Sequence, residues 1–155
     1  GVFIRQPGLV ELMEMFETMA EIEGVCGRLA AHRISEEALA DLDTANARCT
    51  EAIAADDADG YYRENERFHH MIYRHAGNGF LEQEALRLHR RLKPFRRMQL
   101  RLRGRMAQSM AEHEAVVTAL RAGEAERAAE VLRGHVAIQG EKFHLLMASL
   151  RRAAE

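Results

Sequence analysis

Proline is scarce in this chain: Pro7 and Pro94 are the only two among 155 residues. Long stretches are therefore free of the residue that most strongly breaks a helix. Cysteine is equally scarce, and Cys26 and Cys49 have neither zinc-ligand nor redox spacing. Both read as core filler, which fits a reducing cytoplasm. No apolar run approaches the ~20 residues that a membrane-spanning helix needs. The short start GVFIRQPG lacks the apolar core of a signal peptide. Net charge is also small, at -2, which excludes a nucleic-acid binder that works by bulk charge. Strand signals nearly vanish after Ile4, and there is no internal repeat or low-complexity linker.

What remains is helix. Hydrophobic residues make up 47% and charged residues 30%, an ordinary balance for a globular chain that buries one core. Ala, Leu, Glu, Arg and Met dominate. Six helices are expected. The first spans about 9–31, with Leu9, Leu12, Met13, Phe16, Met19, Ala20, Ile22 and Leu29 on an apolar face; Gly24 and Gly27 mark either a weak point or a close helix contact. Ser35 caps a second helix to about Ala55, with Glu36 and Glu37 placed to favour its dipole. The cluster 56–60 turns into a third helix ending near His75, and the AGNG break at 76–79 follows. A fourth spans about 80–101 and should kink or divide at Pro94. The fifth covers about 106–121 and the sixth about 125–152. Short connections between them imply an all-α antiparallel bundle, one helical domain over 9–155. Residues 1–8 read as a short strand closed by Pro7, an odd start for a bundle and a sign of a piece of something longer.

Polar residues interrupt the apolar stripes at four places. In ENERFHHMIY, Asn65 and His69 stand four apart, on one helix face with Tyr61, Phe68, Ile72 and Ala76. His113 shares a stripe with Met106, Met110, Val117 and Leu120; His135 shares one with Ala128, Val131 and Ile138. Three helices thus bring polar groups inward. Imidazole nitrogens suit zinc, nickel, copper or iron, and an amide oxygen can complete the set. A lone inward histidine is more often a hydrogen-bonded core residue, and pattern alone leaves both readings open. His32, His70, His75, His89 and His144 read as surface or supporting residues.

Nearly the whole chain from Leu9 onward resembles the FCD ligand-sensing domain of GntR-type bacterial transcription regulators. The resemblance lies in RLAAHR, ENERFHHMIYRHAGNGFL and AEHEAVVTALRAGEAERAAEVLRGH, and in the spacing between them. It implies a metal held by Asn65, His69, His113 and His135: a divalent transition metal, zinc first, with nickel, manganese or iron as alternatives. It implies a small carboxylate effector beside that metal, a homodimer, and no catalysis. Residues 1–8 then look like the remnant of the wing, or linker, of an N-terminal winged helix-turn-helix domain that would contact DNA. Two positions depart from the family. Asn65 stands where Asp is more usual, so the ligand set is neutral and the ion keeps about its full charge. Met19 stands near a position where the family often has Arg.

The basic run 87–105 holds nine Lys or Arg, most of them expected on a solvated face. Arg91 flanks the stripe Leu88, Leu92, Phe95, Gln99, Leu102 and is the residue expected to clamp a carboxylate, with Arg96 and Arg97 as competitors. An alternative reading is a di-iron or other metal-dependent enzyme, since Glu66–His69 and Glu141–His144 are both Glu-x-x-His pairs. Helical phase opposes it. His135 and His144 are nine residues apart, about 900° of rotation, and face opposite sides of one helix.

Overall fold

A computed structural model describes residues 6–155. Six helices account for almost all of them: α1 Leu9–Arg33, α2 Glu36–Ala54, α3 Ala58–His75, α4 Gly79–Gln99, α5 Arg105–Arg121 and α6 Ala125–Ala154. There is no strand among the described residues. Residues 6–8 lead into α1 without regular structure, and the expected strand over 1–8 lies mostly outside the described residues.

Local chemistry sets the boundaries. Ser35 Oγ accepts a hydrogen bond from the Ala38 N–H at 3.1 Å, Asp57 Oδ1 from Gly60 at 2.9 Å and Asn78 Oδ1 from Leu81 at 3.0 Å. Each satisfies an N–H that the first helical turn leaves unpaired. Gly123 closes the turn between α5 and α6 at φ +68°, a conformation that other residues adopt at a cost. Pro94 lies inside α4 but does not divide it. The proline and Arg90, whose carbonyl loses its partner, are both exposed, so water can serve that carbonyl.

α1 is the axial element. It packs along α6 and also touches α3, α4 and α5, while α2 lies against α3 and α5. α1 and α6 are antiparallel: Gly24 faces Ala129 and Arg133, whereas Gly140 faces Phe16. The two glycines of α1 make a close contact, not a weak point. A Cβ on Gly27 would collide with Leu132 and lie 3.3 Å from the Ala128 carbonyl oxygen. The core runs from Phe16, Phe95 and Phe143 at one end through Met19, Leu42, Phe68, Ile72 and Leu92 to Leu120 and Leu132. Cys26 and Cys49 are buried and free, and burial pushes both thiols up to about 12. Among the described residues no helix is long and apolar enough to cross a membrane.

Candidate metal centre

Within this apolar bundle a polar layer is sealed off from solvent. Its centre is His69 of α3, His113 of α5 and His135 of α6, each at most 1% exposed. One ring nitrogen from each lies within 4.8 Å of one from both others. The rings pack tightly: His113 stacks on Phe68 with centroids 4.1 Å apart, and His69 stacks on His135 at 5.1 Å.

Hydrogen bonds fix the face that each ring turns inward. His69 Nδ1 lies 2.5 Å from Glu23 Oε1, His135 Nδ1 lies 2.6 Å from Glu112 Oε1, and His113 Nδ1 lies 3.2 Å from Asn46 Oδ1. All three partners are oxygen acceptors, so each Nδ1 carries the proton and each neutral ring turns an Nε2 lone pair away from it; on His135 the Gln139 amide reaches that lone pair at 3.0 Å. Burial drives the rings to that neutral form. It lowers His69 to about 4 against the pull of Glu23, and lowers His113 and His135 as well, the latter against Glu112. The carboxylates stay ionised. Burial would raise Glu23, but Arg96 and then His69 bring it well below the usual range; His135 and Arg105 lower Glu112 against its own burial.

Two relays of the same design therefore converge. Arg96 Nη1 donates to Glu23 Oε2 at 2.7 Å, and Arg105 Nη2 donates to Glu112 Oε1 at 3.1 Å. Each guanidinium balances a carboxylate that orients a histidine. The outcome is an unfavourable arrangement at the centre unless a cation sits there. His69 Nε2 and His135 Nε2 face each other 3.2 Å apart, both as acceptors. His113 Nε2 and Asn65 Oδ1 are buried without a hydrogen-bond partner. Nitrogens bound to zinc at about 2.05 Å would be about 2.9 Å apart at a right angle and about 3.3 Å apart at the tetrahedral angle. The observed spacing falls between. The residues present thus fit a divalent metal, with Asn65 one helical turn before His69.

Glu66, His70 and His89 form a second group of potential ligands. Its chemistry differs. Arg96 Nη1 donates to His89 Nδ1 at 3.1 Å, so the lone pair of His89 faces Arg96 and the proton sits on Nε2, toward Glu66. Lys93 Nζ already lies 3.1 Å from Glu66 Oε2. The group offers no lone pair of His89 to a metal. Glu66 and His89 line a narrow cleft with Asn65, Arg96 and Arg97.

Arg91 is exposed and lies over a shallow hollow with Thr18, Ile22 and Glu84. The fourth helix instead sends Arg96 inward, 4% exposed. Glu141 and His144 are both exposed, so that Glu-x-x-His pair does not line the core, and Glu66 turns to Lys93, not to the three-histidine centre. Helical phase also aims Glu112 away from His113, yet its side chain returns to His135 on the next helix. Glu23, Asn46 and Gln139 were not singled out by sequence. A signal for Glu23 exists: it sits four residues after Met19 and three before Cys26, on the buried stripe of α1.

The sequence matches the FCD domain family over residues 14–138. Among solved structures, the chain superposes on Escherichia coli McbR/YncC with a TM-score of 0.74 at 18% identity, covering 98% of this chain and 69% of that one. Streptococcus agalactiae GntR gives a TM-score of 0.71 at 18% identity, covering 83% of this chain and 57% of that one. The chain thus spans little more than half the length of the streptococcal regulator. No curated protein sequence matches it. This chain belongs to the FCD domain family and has the fold of these two structures.

Proposed function

We propose that this domain senses a small carboxylate through a divalent metal and passes the signal to DNA-binding domains in a homodimer. Asn65, His69, His113 and His135 would hold the metal, zinc first, with nickel, manganese or iron as alternatives. The observation that carries the reading is the common setting of the three histidines, each with Nδ1 against a side-chain oxygen, which leaves the proton off Nε2. Metal ligands have this arrangement, and core histidines that merely fill space have no reason to share it. When bound, the metal supplies a Lewis-acidic centre for an anionic group.

The protein's own part is orientation and charge. Asn65 and the histidines are neutral, and the two nearby carboxylates are each matched by an arginine. No anion is left over to neutralise a divalent ion, which favours an anionic effector. Arg96, buried between Glu23 and the cleft beside Asn65, is the guanidinium placed to meet it, in preference to the exposed Arg91. Such an effector acts only by preferring one arrangement of the helices, a shift of population. An N-terminal winged helix-turn-helix domain would then be repositioned on DNA, in the cytoplasm.

The test is metal content by plasma mass spectrometry, wild type beside His113→Ala, followed by thermal-shift screening of organic acids. About one metal per chain, lost in the variant, is the expected result. No metal after adding zinc or nickel would refute the metal centre, and two irons per chain would point to an oxidase instead.

A further inference from the structure

Gln139 lies one turn beyond His135 on α6 and is 3% exposed. Its Nε2 sits 3.0 Å from His135 Nε2, while its Oε1 is buried without a hydrogen-bond partner. The amide N–H can only donate, so it caps the same lone pair that His135 would give to a metal. The two uses exclude each other. Once a cation takes that lone pair, the amide NH2 group, with its partial positive charge, faces the cation at close range. A half-turn about the last side-chain bond exchanges NH2 for the carbonyl oxygen. That turn breaks no bond to Oε1, which has none, and it puts an oxygen donor where the cation needs one.

We propose that Gln139 is a further ligand of the metal, its Oε1 binding beside Asn65 and the three histidines. The inference rests on the metal reading above and adds to it a second amide oxygen. Two buried amide oxygens, Asn65 Oδ1 one turn before His69 and Gln139 Oε1 one turn after His135, are left unpartnered, and a single cation held by those histidines would satisfy both. A set of three imidazoles and two amide oxygens is five-coordinate and leaves a sixth position for an incoming anion. It also gives that anion a neutral, readily displaced ligand to replace.

The experiment measures zinc affinity by chelator competition in wild type, Gln139→Leu and Gln139→Glu. The sign of the leucine effect decides. As a ligand, Gln139 contributes to binding, so Gln139→Leu weakens zinc about tenfold or more. As a mere cap on His135 it competes with the metal, so its removal would tighten zinc or leave it unchanged, and either result overturns the proposal. Gln139→Glu places an anionic oxygen at the same point and should tighten zinc at least about tenfold; weaker binding there would also count against it. Thermal melts of the metal-free variants check folding, and Gln139→Met replaces leucine if that variant melts early. Failure of the wild type to bind zinc would bring down the metal reading and this one together. Wild-type binding with no loss in Gln139→Leu brings down this one alone.

Discussion

Asn65 and Glu23 show how single side chains set the character of the polar layer. In the proposed site Asn65 is a neutral ligand, so Asn65→Asp should tighten divalent metal binding about tenfold or more, by adding ligand charge. Chelator competition checks it, and looser binding would mean that Asn65 does not touch the metal. Glu23 acts through two partners, orienting His69 and neutralising Arg96, with all three groups nearly inaccessible. Removing it leaves a buried guanidinium without its counter-charge. Glu23→Ala should therefore cost about 3–5 kcal/mol of stability, measured by urea unfolding of the metal-free protein. A loss under about 1 kcal/mol would mean that water reaches Arg96 once the carboxylate is gone. His69, His113 and His135 were legible in sequence because each interrupts an apolar stripe. Glu112 was not, because phase reports where a Cα–Cβ bond points and not where a four-atom side chain ends. Arg91 and Arg96 differ for a related reason: Pro94 blurs the phase of α4, so sequence could not decide which arginine turns inward.

At the scale of helices, the cap at Ser35 was readable because a polar side chain at a helix start has a local partner, whereas the 56–60 cluster and the 76–79 break marked turns without singling out Asp57 or Asn78. The inward face of α6 was harder to read. Ala128, Leu132, Val136 and Phe143 are buried with His135, while Val131 and Ile138 are only half-buried. Small residues allow this rotation: Gly140 packs directly on Phe16, and the glycines of α1 admit α6 closely along the other half of the contact. Periodicity counts large apolar residues and misses a face built from alanine and glycine. Gly27→Ala tests that packing. Alanine gains about 1 kcal/mol in helix propensity, but its Cβ meets Leu132 and the Ala128 carbonyl. Overpacking costs about 1–3 kcal/mol, so the net effect should be a lower melting temperature. Gly134, inside α6 with nothing within 4 Å of an added Cβ, is the matched control.

For the whole molecule, the polar layer makes stability depend on pH in a range that the carboxylates alone would leave level. Burial lowers His69, His89, His113 and His135 below the ordinary histidine value, so the folded chain keeps them neutral. The unfolded chain protonates them near pH 6.5. Below that pH the unfolded state binds more protons, and stability falls as the solution is acidified. Their contribution is fully present above about pH 6.5 and is lost as pH drops toward the folded values, near 4 for His69. Glu23 and Glu112 are also lowered and act in the same direction, but only once the unfolded carboxylates begin to protonate, below about pH 4.5. The two sets are therefore separable. The melting temperature of metal-free protein should be level from pH 8 to about 7 and should start to fall near pH 6.5, well before any carboxylate titrates. A curve that stays level down to pH 5 would mean that the folded protein takes up protons as readily as the unfolded chain. The bare Nε2 lone pairs on which the metal centre depends would then not exist.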